Sequence, residues 1–588
     1  MTRSSEDSAR EAQPPLATGD TGREGEFPQQ APRLGNQYRD DRVLRGFLDR
    51  ALPREVHSAI DGDLDALGAH AAAAWVAARA RTPEVPVLTQ WSAWGERIDR
   101  IESTRTWERG AAYSARYGLV AAGHDATHGA HARVDQFARV YLHHVASEFY
   151  TCPLAMSDGA ATALKAAANH ALLDRALPHL LSRDPATLWL SGQWMTETAG
   201  GSDVGRTESV ARRDADGRWR LHGRKWFTSA IVGEMALTLA RPEGAEDGAA
   251  ALAMFYVEAR DAAGRWNGIR IDRLKDKLGT RELPTSEIHL DGALAEPVGE
   301  LAHGVRLIAP MLNVTRMWNA VCALATMRRC LALAFDYAQR RRAFGRPLIG
   351  HPLHRATLAG LQAEFEAAFE LVFFVAQLLG RVETDGATAR EKALLRVLTP
   401  LAKLWTGKLA VRIASEACEA FGGAGYIEDT GMPLLLRDAQ VYPIWEGTTN
   451  VLALDVLRAL DVNGIDDLVA AADALLGEAG ADASLREAGA DLRAVRAALD
   501  AAREWQLAHA AHRDALEAGA RGLALTLARA FAAALLARHA AWAVRERGDR
   551  VPLAALSLFV GHGLTRLATA SMDWTAVLAS AQRSAGEP

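Results

Sequence analysis

The run VYPIWEGTTN, Val441–Asn450, places one acid, Glu446, at the end of a bulky apolar stretch made by Val441, Tyr442, Ile444 and Trp445. Gly447 follows, and Thr448, Thr449 and Asn450 lead into VLALDVLRAL, whose spacing predicts an amphipathic helix. Hydroxyl and amide side chains ahead of such a run are helix-capping chemistry, so Glu446 is expected in a loop at a helix entrance. Tyr442, Ile444 and Trp445 would keep water from it. A carboxyl so placed holds its proton more tightly than one in solvent. The simpler alternative is electrostatic: an acid near a helix N-terminus stabilises the helix dipole.

Other stretches carry weaker signals. In WMTETAGGSDVG, Thr196 and Ser202 bracket a double glycine whose N–H groups and hydroxyls suit a polar ligand edge, or an ordinary Gly-Ser turn. GRKWFTSA sets Trp226 and Phe227 beside Thr228 and Ser229, which suits a flat ring with a hydrogen-bonding rim, or a strand with a buried tryptophan. QRRRAFGRPL ends a helical run with Arg340, Arg341 and Arg342, either complementing the helix dipole or clamping phosphate. FGGAGY is glycine-rich but lacks the GxGxxG spacing of a dinucleotide-binding turn. HDATHGAH spaces His124, His128 and His131 like one helix face, without the carboxylates of a metal site, so a structural role is expected and no metal.

These residues need elements to hold them. From about residue 37 to 190 the pattern is helical. Residues 191–303 change to short aromatic and aliphatic runs separated by turns such as Asp216-Gly217 and Asn267-Gly268, which predicts a small β domain. From Gly304 the helical period returns, with one long helix expected after Pro310 and another over TPLAKLWTGKLAVRIASEACEAF, stopped by Gly422 and Gly423. The division expected is a disordered tail over 1–36, a helical domain over 37–190, the β domain over 191–303, a helical bundle over 304–460 and a further helical domain over 461–588.

The order of motifs says more than any one of them. MTE-x-x-GGSD, KWFTS, DKLGTRELPTSEI, RRRAFGRPL, FGGAGY and IWEGTTN, in that order, resemble the acyl-CoA dehydrogenase family over about residues 36–460. The forms NQYRDD, RLKDKLGTR, NVTRMWNAV and YPIWEGTTN, with the extra C-terminal segment, resemble its AidB-like, alkylation-response branch. The resemblance implies an α+β fold, mainly α: an N-terminal helical domain, a middle antiparallel β domain, and a C-terminal helical bundle with an additional helical segment. It implies FAD between the β domain and the C-terminal helices. Met195, Thr196 and Ser202 would line the flavin, and Trp226, Phe227, Thr228 and Ser229 would pack against and bond it. Gly422 and Gly423 would approach it, and Trp445, Thr448 and Asn450 would join its contacts. Arg341 and Phe344 would reach the FAD of a neighbouring subunit, implying a homotetramer. Ser202, Ser229, Arg316 and Gly447 would face the substrate. Glu446 takes the place of the general base that removes a Cα proton from an acyl thioester.

Two positions depart from the family pattern. Glu419 stands where many relatives carry a glutamine facing FAD phosphates, so a carboxylate there needs Arg412 or another arginine as partner. Asn313 replaces an acid frequent beside the acyl-CoA in short- and medium-chain relatives, which points away from standard CoA recognition and ordinary β-oxidation; the acyl group is expected to be long or branched. Electrons are expected to pass to an electron-transfer flavoprotein; a close variant would use O₂.

Bulk properties narrow the alternatives. The 588 residues are 49% hydrophobic and 24% charged, with a net charge of −5, which offers no general field for nucleic acid. Residues 461–588 hold 13 arginines and no lysine against 16 acids, poor footing for the DNA-protective role implied for AidB-like relatives. A fatty-acyl binder without turnover is the other alternative. Four widely spaced cysteines fit a reducing cytoplasm, and no apolar run approaching the ~20 residues of a membrane span is expected.

Overall fold

The computed structural model describes residues 29–567 and residue 578. Most of the tail expected over 1–36 lies outside these. Residues 29–36 run against the body of the protein, where Gln29 accepts from the Tyr337 hydroxyl at 2.8 Å and the Arg33 N–H donates to Asp336 at 2.7 Å.

The N-terminal region begins with α1 (Arg42–Ala51), whose first turn is capped by Asp41 accepting from the N–H groups of Val43 and Leu44. One face of α1 buries Val43, Leu44, Phe47 and Leu48, at about 1.5–3 kcal/mol for each large side chain. Helix α2 (Arg54–Arg79) follows. The expected run of helices is then interrupted by a hairpin, β1 (Val87–Trp91) and β2 (Arg97–Glu102), turned at Gly95 with φ 82°. Tertiary contacts hold it: Gln90 donates to the Ile271 carbonyl at 2.8 Å, and Asp99 accepts the Ile271 N–H at 3.0 Å. Helices α3 (Arg105–Arg116), α4 (Ala132–His144), α5 (Thr151–Ala167) and α6 (His170–Leu180) complete the region.

The β domain contains β3 (Ser191–Trp194), β4 (Val210–Arg213), β5 (Trp219–Ser229), β6 (Met235–Pro242), β7 (Ala253–Glu258), β8 (Ile269–Leu274) and β9 (Thr285–Pro297) in one sheet. The pairing is mostly antiparallel, but β6 pairs in parallel with both β3 and β4. Trp194, Ile231, Phe255 and Ile288 form part of a core separate from the helical one. The strand reading at GRKWFTSA holds, although its tryptophan is only half-buried.

Helix α7 (Gly304–Arg340) starts six residues before Pro310 and passes through it; burial along most of its length outweighs the one lost N–H. After α7 come a small hairpin, β10 (Arg342–Ala343) and β11 (Arg346–Pro347), and α8 (Pro352–Glu383). Helix α9 (Ala389–Ala420) likewise begins well before Thr399, at a Thr388–Glu391 capping box, and runs through Pro400. Then follow α10 (Met432–Ala439), α11 (Thr449–Asn463), α12 (Asp466–Ala481), α13 (Gly489–His509), α14 (Arg513–Arg547) and α15 (Val551–Gly561). Helix α14 is long and apolar enough to cross a bilayer, contrary to the expectation for this chain, but 83% of its apolar window is buried inside the protein, as in a core helix.

Candidate active site

Glu446 lies between α10 and α11, on a turn where it has φ 58° and Gly447 has φ 101°. A non-glycine residue in left-handed backbone is strained, and such strain collects at functional sites. The turn is held from several sides. The Thr315 hydroxyl of α7 donates to Glu446 Oε2 at 2.6 Å, and Arg316 Nε donates to the Glu446 carbonyl at 3.4 Å. Arg316 is anchored in turn by Asp455 of α11 at 2.9 Å. Lys403 of α9 donates to the Gly447 carbonyl at 2.5 Å. Gly407, one turn further along α9, lets the loop lie directly on the helix, because a Cβ there would sit 3.0 Å from the Tyr442 carbonyl.

Burial raises the Glu446 carboxyl above its ordinary range, against the opposing pull of the Thr315 hydrogen bond, Lys403, Arg316 and the Gln193 side chain of β3. Burial also pushes the Lys403 ammonium down to about 7, with Glu446 opposing and Arg316 reinforcing the shift. The apolar shield differs from the expected one. Tyr442 is fully buried beneath the loop, its hydroxyl bonded to His144 and Thr326 at 2.7 Å each, and Trp445 is half-buried against Phe149. Ile444 is 61% exposed and shields nothing. Nor does Thr448 cap α11 with its hydroxyl; it stands at the N-cap position, exposed, as Asn450 is. Besides lying just ahead of the α11 N-terminus, the carboxylate is bonded to Thr315 on another helix.

A second group forms on the β domain. The motifs around Thr196 and Trp226 are tied together: the Trp226 N–H donates to the Thr196 carbonyl at 2.8 Å, and Lys225 pairs with Glu197 at 2.6 Å, both side chains buried. Met195 is buried, with the Gln193 amide 3.8 Å from its sulfur, so the end of β3 links this group to Glu446. Lys275 lies 3.6 Å from the Trp226 ring centre and 4.4 Å from that of Phe227, which is half exposed. Thr228 is buried and donates its hydroxyl to the Ser286 carbonyl at 2.7 Å, so that hydrogen serves the sheet. Ser229 pairs with Thr285 at 3.1 Å, and Ser202 is exposed.

The remaining predicted residues gather at the far ends of α7 and α9. Tyr337 and Phe421 stack there with ring centres 4.2 Å apart, which brings Arg341 and Gly422 to the same end. Arg341 and Arg342 have left the helix, so the dipole role reaches only Arg340. Phe344 is 96% exposed at the tip of the β10–β11 hairpin. Gly422 and Gly423 face open space. Arg412 lies 4.0 Å from Glu364, a different acid from Glu419. The three histidines are spread over two short turns kinked at Gly129, and His124 is bound to Asp158 and Lys165.

Thr315, Lys403, Gln193 and Cys152, whose thiol lies within electrostatic reach of Glu446, were absent from the sequence expectations. Lys403 had a signal: a single charge inside LTPLAKLWTG. Thr315 and Gln193 had none, being ordinary residues of a helix and a strand.

Comparison with known proteins gives the family. Residues 302–460 match the acyl-CoA dehydrogenase C-terminal domain, and residues 192–293 its middle domain. Residues 29–185 match the N-terminal domain of the adaptive response protein AidB, and 468–571 match an acyl-CoA dehydrogenase 11 C-terminal domain-like family. Acyl-CoA dehydrogenase family member 11 of Caenorhabditis elegans is 40% identical over 537 residues, 88% of this chain and 86% of that protein. AidB of Escherichia coli K12 is 35% identical over 66% of this chain and 71% of its own length. The crystal structure of C. elegans ACDH-11 with C11-CoA superposes with a TM-score of 0.88 at 36% identity, covering 96% of this chain and 97% of that one. With a relative 40% identical over most of both chains and the middle and C-terminal domain families matched, this protein belongs to the acyl-CoA dehydrogenase family, oxidoreductases acting on acyl-CoA.

Proposed function

We propose that this chain dehydrogenates the Cα–Cβ bond of an acyl-CoA thioester, with Glu446 as base and FAD as bound cofactor. The observation that carries the reading is the Glu446 carboxyl, raised in proton affinity by burial and fixed by Thr315 at the junction of the three domains. The residues present suit a flavin. The Trp445 indole N–H and the Gln193 amide oxygen are buried without a hydrogen-bond partner among the described residues. Open surface lies at Gly422, Gly423, Ser202 and Phe227. Met195, Thr196, Trp226, Phe227 and Ser229 would hold the ring side, and Thr448 and Asn450 the nucleotide side. The bound flavin would supply the two-electron acceptor for the Cβ hydride.

The protein's own residues account for the proton. Glu446 in its ionised form takes it from Cα, leaving electron density on the thioester carbonyl that hydrogen-bond donors must stabilise. The Thr315 bond keeps the carboxylate in one orientation, and Arg316 holds the backbone beneath it. Tyr442 and Trp445 exclude water from one side. We assign a long or branched acyl group; the C11-CoA complex of the C. elegans relative supports an extended chain. An electron-transfer flavoprotein is the proposed acceptor. The exposed Phe344 supports assembly as a homotetramer.

Anaerobic titration of the purified yellow protein with straight and branched acyl-CoAs of graded length, read by flavin absorbance, tests this. Bleaching by one chain class, lost in Glu446→Gln, is expected. A flavin that no thioester bleaches would remove the dehydrogenase reading in favour of ligand or nucleic-acid binding.

A further inference from the structure

Lys403 is the one charged residue in the stretch Leu398–Gly407 of α9, all of it buried. Its own side chain is 0% exposed. An ammonium is costly to bury unless its protons and charge are answered. One proton goes to the Gly447 carbonyl, at 2.5 Å. Among the described residues no acid forms an ion pair with it, and Glu446 is the acid whose field favours its protonated form. The turn it grips is the strained pair Glu446–Gly447, and the preceding carbonyl, that of Glu446, accepts from Arg316 of α7. Two successive carbonyls are thus held by cations on two different helices, while Thr315 fixes the carboxylate.

Groups facing Glu446 come from four elements. They are Lys403 from α9, Thr315 and Arg316 from α7, Cys152 from α5 and Gln193 from β3. Arg316 is paired with Asp455 of α11. The Cys152 thiol is pushed up by burial and carries no charge at neutral pH. Among the described residues, Lys403 is therefore the cation near the base with no other acid beside it.

We propose that Lys403 is a positioning residue for the base: it locks the Glu446–Gly447 turn through the Gly447 carbonyl and so holds a cation within electrostatic reach of the Glu446 carboxylate. This rests on Glu446 acting as the base. Two replacements separate the two roles. Lys403→Gln keeps a donor and loses the charge; Lys403→Met loses both. Each is measured by the pH dependence of kcat and of KM. The Glu446 carboxyl is also titrated directly, by infrared difference between 13C-glutamate-labelled protein with and without Glu446→Gln, which needs no turnover.

In Lys403→Gln, the infrared titration and the ascending limb of kcat should both move up by about one pH unit, a roughly tenfold loss at low pH that is recovered at high pH, with KM little changed. In Lys403→Met the high-pH plateau should fall as well. An unmoved infrared titration, a loss of rate equal at every pH, or failure of both variants to fold overturns the proposal, the last making Lys403 a structural residue. If the wild type dehydrogenates no thioester, the assigned function fails, and the infrared titration still decides whether Lys403 sets the proton affinity of Glu446.

Discussion

Thr315 and Glu446 make a pair in which a hydroxyl stabilises the charged form of a half-buried acid. Thr315→Val removes that donor at nearly constant volume. The carboxyl should then hold its proton more tightly still, and the ascending limb of kcat/KM should move to higher pH by up to about one unit. The sign follows from the chemistry: the ionised form is the base, its pKa is raised in the folded protein, and activity appears as pH rises through that value. The wild-type limb should therefore lie above the ordinary carboxylate range of about 4.3. A pH profile of steady-state rates for both proteins checks this, and an identical limb in Thr315→Val would show that the hydroxyl leaves the base untouched.

At the scale of elements, the Lys225–Glu197 pair ties β5 to the segment after β3, and Glu197 also accepts the N–H of Glu208 at 2.6 Å. Removing one partner strands a buried charge. Glu197→Ala is expected to cost about 3–5 kcal/mol in chemical denaturation, while the double change Glu197→Gln with Lys225→Met should recover a large part. The turn at Gly447 is a second such point. Its φ of 101° and the 3.1 Å from an added Cβ to Leu452 predict that Gly447→Ala costs about 1–3 kcal/mol and lowers kcat by moving Glu446. Denaturation and steady-state kinetics on the same preparation separate the two effects.

Across the whole molecule, buried carboxylates of α8 form ion pairs with helices from both ends of the chain. Glu364 pairs with Arg529 of α14 at 2.7 Å, and Glu370 with Arg50 of α1 at 2.6 Å, close to His539 of α14. Burial would raise the Glu364 carboxyl, but Arg529 and His562 outweigh it and hold the group below the ordinary range. A carboxyl depressed in the folded state contributes stability above its unfolded value of about 4.3, and that contribution is lost as pH falls through the folded value. Arg529→Met should cost about 3–5 kcal/mol at neutral pH and flatten the dependence of stability on pH in the acid range, as followed by thermal unfolding. In a tetrameric protein, the exposed Phe344 should make Phe344→Asp lower the mass seen by light scattering while leaving the fold's circular dichroism unchanged.

The sequence by itself determined the broad order of helices, strands and helices, because hydrophobic period and turn residues are local signals. Motif order likewise pointed to the family and to Glu446, whose apolar neighbours and following glycine are contiguous in the chain. Tertiary structure decided the rest. Pro310 and Pro400 sit inside helices because packing outweighs one missing hydrogen bond. The β1–β2 hairpin exists where a helical run was expected because it docks on β8. Ile444 reads as a shield for Glu446 in sequence but points to solvent. The side chains that oppose the effect of burial on Glu446, Thr315 and Lys403, lie 131 and 43 residues away in the chain. Only folding brings a hydroxyl of α7 and an ammonium of α9 to one turn, and no local pattern records distances between separate helices.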